Sequence, residues 1–596
     1  MLDLILQGGI IYDGTGGDGF TADVGIQGGF ISAIGDLSGQ RARSVVDIQG
    51  RSVTPGFIDM HSHADCSVPM WPDMESTLGQ GITTCFAGHC GMGLAPVHHY
   101  WLEQCFDARA IDKIIPQFVG GPIPGVGRVV ETARLRPAFR EAYGEDLDWG
   151  SFGEYLSHLK RVGHGANLAI NVGHSQLRQQ VLGPSAERAA TPEEIRRIVR
   201  ELDRCFDEGA FGLSLGLDYT SSMYARPDEL TALMEVVHSH GAVVTAHMRT
   251  EPSMWATGGS GFPLFDGFEE FLELGLATGV RLHISHIYTI ADITPGKNSD
   301  LLAENAVRSA LALIDRYRSK GVEVTWDYLG TQPAACFFFP QLATRFRPYV
   351  DECGGKQAFA RALSDPWYHK TVADEIRGGG HRAVSPFAAL SKRAGARWGA
   401  NLILSRCSEQ RFVGRSISEI AEELGLDCVD TALHIIQLDP ETMCDRQRDT
   451  DPAAGHYYVL DEDMSFGTDN GAHNYDFIDQ SGPDMPYVIG TPTEFGGMVE
   501  YFHTFRELPF QALVKRMTCN AAKALRLTDR GLIREGMRAD LVVLNRKELR
   551  SNLNLAEPRT SPDGIDYVIV NGTIAVDHKK HLHPRSGQII LRPTAV

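Results

Sequence analysis

Two histidines, His61 and His63, stand at the end of a short apolar run in the segment TPGFIDMHSH, residues 54–63. The apolar run predicts a β-strand, and side chains two residues apart on a strand point to the same face. Two imidazoles that converge at the end of a strand are suited to a divalent metal such as Zn²⁺. Because an HxH pair is a weak signal by itself, the metal interpretation depends on ligands from the rest of the chain.

Other side chains with metal-binding or proton-transfer chemistry follow further apolar runs. They are Cys90 in AGHCGMG, His174 in NVGHS, His247 in TAHMR, His286 in ISHIY and Asp469 in GTDNG. One such residue is more often a buried structural group, but chance does not explain their repeated placement at the ends of predicted strands. Imidazole nitrogens and a thiolate bind Zn²⁺ well, and zinc lowers the pKa of a bound water. Asp469 would take up that proton and deliver it to a leaving nitrogen, as in metal-assisted amide hydrolysis.

Eight apolar runs that carry these residues alternate with helical patterns. The strand candidates are GFIDM, ITTCFAG, NLAINVG, AFGLSLG, AVVTAHM, RLHISHI, VEVTWDY and MSFGTD. Helices are predicted between several of them, over residues 191–208, 227–240 and 301–320. This alternation predicts an α/β fold, a closed (β/α)8 TIM-like barrel with its site at the carboxyl ends of the strands. An open doubly wound sheet is the alternative architecture.

Both ends of the chain instead show short alternating runs between glycine-rich turns, such as LILQGGIIYDG and YVIVNGTIAVD. This pattern is typical of antiparallel strands. Because a small sheet needs a partner face to bury, residues 1–54 and 526–596 are predicted to form one composite β-sandwich domain beside a barrel domain of residues 55–525. Residues 330–463 are too many for one loop after the seventh strand, so they predict an insertion that lies over the site as a lid.

The composition restricts the partners. The 596 residues include 56 Lys+Arg and 75 Asp+Glu, a net charge of −19, which argues against a broad surface for nucleic acid or an anionic membrane. This charge gives no information about a small-molecule substrate. No signal peptide and no run of about 18 apolar residues is visible. Eleven cysteines without a disulfide spacing fit reduced thiols, so a cytoplasmic location is expected. The sequence leaves the oligomeric state open, including a homo-oligomer.

Several of these segments carry a family resemblance. GFIDMHSH, the eight-strand order and the closing segment TCNAAKALRLTDRGLIREGMRADLVVL resemble the amidohydrolase superfamily. Within it, AGHCGMGLAP, GAFGLSLGLDY, AHMRTE and ISHIY resemble the D-aminoacylase branch, the N-acyl-D-amino-acid deacylases. The resemblance covers nearly the whole chain, including its β-rich ends. It implies a zinc-dependent hydrolase that deacylates an N-acyl-D-amino acid or a related N-acyl amide.

The resemblance also implies roles for individual residues. The implied ligands of a tight zinc are Cys90, His247 and His286, and those of a second, weaker metal are His61 and His63. Asp469 resembles the catalytic acid/base of the branch. No lysine ends the fourth strand, where AFGLSLG offers only Ser214, which agrees with a cysteine in the role that a modified lysine has elsewhere in the superfamily.

Two departures from the branch pattern concern the substrate's carboxylate. Where the branch has a lysine directly after the second histidine this chain has Tyr288, and the stretch GTPTEFGG beyond Asp469 lacks the usual arginine. Tyr328 remains a candidate hydroxyl partner, and Lys297 and Arg249 are the nearby basic candidates. A free carboxylate on the substrate is therefore less firmly implied. A bulkier or more apolar N-acyl compound would fit a mouth lined by the phenylalanines at 337–339, unless these belong to the core.

Two other functions stay open from sequence alone. An enzyme with the same metal chemistry would act on a neutral or cyclic amide, a urea or an ester, because the polar residues specify water activation and not the acyl group. A non-catalytic barrel scaffold is the other alternative. Such a scaffold would have no physical reason to keep all five ligand candidates together with Asp469.

Overall fold

The computed structural model describes residues 1–593 except for the segments 103–128, 145, 184–185, 187, 218–220, 250–265, 288–298, 330–341, 378–398, 400–401, 447–451, 477–491 and 555–558. The described strands are β1 Leu2–Ile11, β2 Phe20–Gln27, β3 Phe30–Gly35, β4 Ala42–Asp47, β5 Ser52–Pro55, β6 Phe57–Ser62, β7 Ile82–Ala87, β8 Tyr100–Leu102, β9 Val129–Glu131, β10 Asn167–Ile170, β11 Val172–Gly173, β12 Gly212–Gly216, β13 Val243–His247, β14 Arg281–Ile284, β15 Val324–Tyr328, β16 Leu402–Arg406, β17 Met443–Arg446, β18 Ser465–Phe466, β19 Leu541–Leu544, β20 Ile565–Val570, β21 Thr573–Asp577 and β22 Lys580–His581.

The described α-helices are α1 Glu75–Leu78, α2 Thr132–Tyr143, α3 Phe152–Val162, α4 His174–Leu182, α5 Pro192–Asp207, α6 Pro227–Ser239, α7 Asp266–Thr278, α8 Ser299–Arg318, α9 Arg347–Cys353, α10 Lys356–Ala362, α11 Pro366–Arg377, α12 Ile417–Leu424, α13 Cys428–Leu438, α14 Pro452–Val459, α15 Pro492–Thr504, α16 Phe510–Lys515 and α17 Ala521–Ala524. The three helices predicted at 191–208, 227–240 and 301–320 correspond to α5, α6 and α8.

Helix α5 shows why the sequence starts and ends a helix where it does. Thr191 accepts a hydrogen bond from the backbone N of Glu194 while the Glu194 side chain bonds back to Thr191, and Pro192 occupies the first turn. This capping box satisfies backbone N–H groups that have no partner inside the helix. Ile198 and Leu202 are four residues apart and buried, so they form the face that packs on the core.

Eight predicted strands form a parallel series. The pairing order is β6, β7, β10 with β11, then β12, β13, β14, β15 and β18, where Asn171 alone separates β10 from β11. Every neighbouring pair is parallel. The backbone N atoms of Thr468 and Asp469 donate to the His61 carbonyl at 3.3 and 2.8 Å, so the residues after β18 bond to β6. The predicted α/β class and its eight strands are confirmed.

Both chain ends contribute to one nine-stranded sheet. Its order is β22, β21, β20, β19, β5, β1, β2 and β3, with β4 paired to the other part of β1. The two ends meet where β5 runs antiparallel to β19, with Thr54 opposite Val542. The buried side chains of this sheet include Leu6, Ile26 and Leu541. The predicted co-folding of the two ends is therefore observed as strand pairing, whereas the sandwich arrangement stays a prediction.

The last described residues leave this sheet. Ser586 pairs with His164 and Ile589 with Leu168 in isolated parallel bridges. Leu168 lies in β10 and pairs with β7 on its other side. The tail therefore occupies the edge of β10 opposite β7, because that edge has backbone groups that need partners. The domain boundary at residue 526 stays a prediction, and the bridges show that the tail also contacts the parallel strands.

The elements between residues 342 and 446 have a hydrophobic cluster of their own. Strands β16 and β17 pair antiparallel, and helices α9 to α13 accompany them. The cluster contains Leu342, Phe359, Leu404, Phe412 and Leu433, all fully buried. A separate core fits the prediction that this stretch folds by itself, and its role as a lid stays a prediction.

Within the described part of the chain, no helix combines the length and apolar character that crossing a bilayer requires. The nine cysteines that the structure describes are all free. This agrees with the expectation of reduced thiols.

Candidate metal centre

Six of the seven side chains predicted to do chemistry come together at one edge of the parallel strands. The carboxyl ends of parallel strands share an edge, so residues at these ends converge even when they are far apart in sequence. His61 lies near the end of β6 and His247 is the last residue of β13. Cys90, His286 and Asp469 follow β7, β14 and β18 within three residues.

These side chains form two groups that share one sulfur atom. His61, His63, Cys90 and Asp469 form one group, and Cys90, His247 and His286 form the other. Within each group the potential ligand atoms all lie within 4.8 Å of one another. Cys90 Sγ lies 3.4 Å from His61 Nε2, 3.5 Å from His286 Nε2 and 3.8 Å from His247 Nδ1. The shared thiol would therefore serve either group.

The spacing of these atoms fits a tetrahedral metal. Zn–S and Zn–N bonds of about 2.3 and 2.0–2.1 Å place sulfur and nitrogen ligands about 3.5 Å apart, and two nitrogens about 3.3 Å apart. The three separations from Cys90 Sγ lie close to the first value. His247 Nδ1 and His286 Nε2 are 2.9 Å apart, slightly closer than the second. The donor set of one thiol and imidazoles is one that zinc prefers.

The electrostatics of the site favour a cation. Burial would lower the pKa of His61, but the negative charges of Asp327, Asp469 and Cys90 raise it well above its usual range. Burial likewise opposes the charge on His63, yet hydrogen bonds with Asp469 and Cys90 raise its pKa to about 10. Buried anions must be paired with positive charge. Protons on the histidines or a bound metal ion would both supply that charge.

The surroundings of Cys90 favour the ionised thiolate form of its side chain. Burial alone would raise the pKa of this thiol, but the positive charge of His61 and hydrogen bonds with His247 and His286 hold it well below its usual range. The thiolate is the form that binds a metal. Cys85, five residues earlier on β7, behaves in the opposite way, because burial and the charge of Asp59 raise its pKa well above the usual range.

The Asp469 carboxylate faces two of the histidines predicted to bind a metal. Its Oδ1 lies 3.0 Å from His63 Nε2 and 3.3 Å from His61 Nε2. Burial would raise the pKa of Asp469, but the charge of His61 and the hydrogen bonds from both histidines keep it well below its usual range. The ionised carboxylate can accept a proton, and its neighbours are the groups predicted to hold a metal.

Three residues of the site have backbones in the left-handed region. The φ angles are +56° for Cys90, +37° for His286 and +56° for Asp469. This conformation costs about 1–2 kcal/mol for a residue with a Cβ, so specific contacts must hold it. The His286 backbone N donates to Asp327 Oδ1 at 2.8 Å, for example. Such strain is typical of positions where a side chain is aimed at a functional centre.

Asp327 is a buried carboxylate beside the metal groups that the sequence analysis did not select. It is fully buried, and its Oδ2 lies 3.4 Å from His61 Nδ1 and 2.8 Å from His283 Nε2. Burial would raise its pKa, but the charge of His61 and a hydrogen bond with His283 lower it. Carboxylates that bond to ligand histidines orient the imidazole rings. Asp327 and Tyr328 are neighbours on β15, so strand alternation places them on opposite faces. The local pattern alone therefore did not indicate that Asp327 faces the site.

Asp59 is a second residue that was missed, and it connects β6 to the segment that bears Asp469. Its Oδ1 accepts from the backbone N of Thr468 at 2.9 Å, and its Oδ2 accepts from Thr468 Oγ1 at 2.6 Å. Burial raises its pKa to about 7 against these hydrogen bonds. Asp59 lies two residues before His61, so strand alternation would have placed it on the same face.

The predicted substrate-binding residues are only partly described. Tyr288, Lys297 and the phenylalanines at 337–339 lie outside the described residues. Arg249 is half-buried: its Nε lies 3.0 Å from Glu270 Oε2, and its Nη2 donates to the Ala225 carbonyl at 2.7 Å. The ring of Tyr328 packs against Tyr458 with centroids 5.7 Å apart. For both residues a role in substrate binding stays a prediction.

His174, the remaining histidine at a predicted strand end, belongs to neither metal group. It opens helix α4, and its Nε2 lies 3.0 Å from Glu229 Oε1. Its Nδ1 lies 2.9 Å from Ser222 Oγ. Burial lowers the pKa of His174 although the hydrogen bond with Glu229 opposes this. Its partners are therefore a carboxylate and a hydroxyl.

Comparisons with known proteins give consistent results. The model of the amidohydrolase family matches residues 44–576. An N-acyl-D-glutamate deacylase of Alcaligenes xylosoxydans xylosoxydans is 27% identical over 608 residues, which cover 100% of this chain and 98% of the relative. A D-aminoacylase of the same organism is 26% identical over 606 residues, again covering 100% of this chain and 98% of the relative.

Solved structures share the fold. The crystal structure of D-aminoacylase matches with a TM-score of 0.65 and 24% identity, over 99% of this chain and 100% of that chain. The N-acyl-D-glutamate deacylase from Bordetella bronchiseptica, solved with zinc and a phosphonate mimic of the tetrahedral intermediate, matches with the same TM-score, identity and coverage. At this level of identity the structural matches establish the fold alone.

Proposed function

Because the chain belongs to the amidohydrolase family, we propose that it is a zinc-dependent hydrolase that cleaves the C–N amide bond of an N-acyl-D-amino acid or a related N-acyl amide. The observation that carries this proposal is the convergence of Cys90, His247 and His286 on one point beside Asp469. The curated relatives named for D-aminoacylase and N-acyl-D-glutamate deacylase activity support the substrate class.

Each group at the site has a role in this proposal. Cys90, His247 and His286 would hold the tight zinc, and His61 and His63 with the shared Cys90 would hold a second, weaker ion. Zinc held there would act as a Lewis acid and lower the pKa of a water molecule. The Asp469 carboxylate would accept the proton of the attacking water and deliver it to the leaving nitrogen. Asp327 would orient the His61 ring.

The architecture that would support this chemistry is a closed (β/α)8 barrel of residues 55–525. The hydrogen bonds from Thr468 and Asp469 to His61 favour closure over an open doubly wound sheet. Residues 1–54 and 526–596 would form the composite β-sandwich domain, and the insertion 330–463 would cover the site as a lid. A cytoplasmic location and a homo-oligomeric state remain predictions.

A screen of amides tests the function. Zinc-reconstituted protein is expected to hydrolyse N-acyl-D-amino acids faster than their L-enantiomers, and a chelator is expected to stop the reaction because the ligand set depends on a metal for water activation. N-acyl amino acids of both configurations, neutral amides, a cyclic amide and an ester are assayed side by side. Turnover of the cyclic amide or the ester alone would contradict the proposed substrate class. Full zinc occupancy without any turnover would favour the scaffold.

A neutral amide is the second candidate substrate, and the tyrosine at position 288 favours it. Without a cationic partner, a substrate carboxylate gains only neutral hydrogen bonds. Exchanging the carboxylate of an N-acyl-D-amino acid for a carboxamide is therefore expected to lower kcat/KM by about fivefold, equivalent to about 1 kcal/mol. Steady-state kinetics on one acid and its carboxamide measure this ratio.

The contrary result would identify the missing cation. An acid preference above about a hundredfold would indicate a charge-assisted pair with the substrate. If Lys297→Met abolished that preference, Lys297 would be the cation, and the enzyme would be an ordinary deacylase of free acids. Arg249→Met is the second variant. In the wild-type protein the Arg249 guanidinium already pairs with Glu270, so we expect this variant to leave the ratio of kcat/KM for acid and carboxamide unchanged.

A further inference from the structure

The segment that carries Cys90 is a tight turn with an unusual backbone. The Met92 backbone N donates to the His89 carbonyl at 3.0 Å, and the two central residues, Cys90 and Gly91, have φ angles of +56° and +71°. Positive φ at both central positions is typical of a type I′ turn, which favours glycine, asparagine and aspartate. Cysteine at the first central position therefore needs outside contacts to hold it.

Three hydrogen bonds hold this turn from different elements. Asp65 Oδ1 accepts from the Gly88 backbone N at 2.8 Å, and Ser214 Oγ accepts from the Gly91 backbone N at 3.0 Å. The Ser175 backbone N donates to the Gly91 carbonyl at 3.0 Å. A Cβ on Gly91 would lie 2.7 Å from the Gly216 backbone N. The turn is thus pressed against β12 and has little freedom to shift.

Ser214 is the side chain that bonds directly to the peptide group following Cys90. It is fully buried in the middle of β12. It stands on the fourth strand of the parallel series, where the superfamily resemblance would place a lysine. We propose that Ser214 is a positioning residue that fixes the Cys90 thiolate for metal binding. This inference rests on the proposed zinc centre and adds the group that aims its sulfur ligand.

The opposite side of the turn is supported by a buried polar array. Ser175 Oγ lies 2.8 Å from Ser222 Oγ, which in turn lies 2.9 Å from His174 Nδ1, and His174 Nε2 lies 3.0 Å from Glu229 Oε1. The order resembles a serine–histidine–acid group, but all four residues are fully buried and bonded to one another. The array instead fixes the start of α4, whose backbone N holds Gly91.

Only one of these supports can be removed cleanly by substitution. The bond from Ser175 comes from the backbone, and the Asp65 carboxylate is buried, so its replacement would disturb more than the turn. Ser214→Ala deletes a single oxygen and leaves the Gly91 N–H buried without its acceptor. Groups that orient metal ligands typically change metal affinity by 10–100-fold when they are replaced. We expect the Kd for zinc to rise about tenfold or more in Ser214→Ala.

A second readout reports the metal–sulfur bond itself. In protein loaded with Co²⁺, the near-ultraviolet thiolate-to-cobalt charge-transfer absorption is expected to weaken or shift in Ser214→Ala. A purely structural role for Ser214 would lower thermal stability and leave this absorption unchanged. An unchanged band together with wild-type zinc affinity would overturn the inference.

Thr245→Val is the matched control. Thr245 lies directly opposite Ser214 on the neighbouring strand β13, it is fully buried, and its Oγ1 has no hydrogen-bond partner among the described residues. Its Kd for zinc and its cobalt spectrum are expected to stay within about threefold of wild type, as for substitutions that break no contact. An effect as large as that of Ser214→Ala would also overturn the inference, because it would reveal a general disturbance of the strands.

Measuring the Kd for zinc in Cys90→Ala as well separates the role of Ser214 from the proposed function. If Cys90→Ala keeps wild-type zinc affinity, the proposed metal centre fails. If Cys90→Ala loses zinc while Ser214→Ala retains it, only the role of Ser214 fails. Should Ser214→Ala not fold, hydrogen exchange in the wild-type protein decides: the Gly91 amide is expected to exchange slowly, and fast exchange would refute its bond to Ser214.

Discussion

Replacing Cys90 with alanine is expected to abolish tight zinc binding and hydrolysis together. The thiol is the one side chain common to both metal groups, and its loss removes a negatively charged ligand from each of them. The decrease in zinc affinity should exceed the roughly 100-fold upper range found for residues that only orient ligands. Metal content after dialysis and kcat/KM for the best N-acyl substrate measure the two effects on the same sample.

Cys85→Ala is the control for this experiment. It also deletes a fully buried thiol of β7, but that thiol has a raised pKa and lies in neither metal group. We expect a modest loss of stability with zinc content and activity preserved. Zinc at full occupancy in Cys90→Ala would show that the sulfur is not a ligand, and a parallel loss in Cys85→Ala would show that the strand, and not the thiol, is responsible.

Much of the fold was predictable because its signals are local. Each strand of the parallel series is a short apolar run, and a polar residue after the run marks the shared edge. The pairing of β5 with β19 joins residues about 490 positions apart, with Thr54 opposite Val542. The similar alternating runs between glycine-rich turns at the two chain ends nevertheless indicated that the ends fold together. Local periodicity and a rule about parallel strands were sufficient for these features.

The parts that were missed depend on contacts between distant residues. Asp327 faces His61 from another strand, and only the position of that strand reveals it as part of the site. Arg249 was considered for the substrate because of its charge, and the sequence did not indicate that Glu270 of helix α7 would pair with it. The hydrogen bond between Ser214 Oγ and the Gly91 backbone N depends on a turn with positive φ angles. A cysteine in the sequence does not predict such a turn. Charge and residue type indicate candidate site residues in the sequence. The groups that these residues contact depend on how the chain packs.

Changing Asp469 to asparagine is expected to lower kcat by at least about 100-fold, the usual range for loss of an acid/base group, while the protein stays folded. Asparagine keeps the size of the side chain and tolerates the left-handed backbone found here, with φ +56°, better than most residues. It cannot accept the proton that the carboxylate would take from water. Zinc held by Cys90, His247 and His286 should remain bound, because Asp469 lies in the other group.

The control for this change is Asp463→Asn, the same substitution at an exposed carboxylate six residues earlier, which lies 3.6 Å from Arg318. Exposed ion pairs of this kind contribute little, so the rate should change by less than about threefold. The decisive measurement is kcat at saturating substrate together with zinc content. If Asp469→Asn kept more than about a tenth of the wild-type rate, the loss would be too small for a general base, and another group, with His63 nearest at 3.0 Å, would have to move the proton.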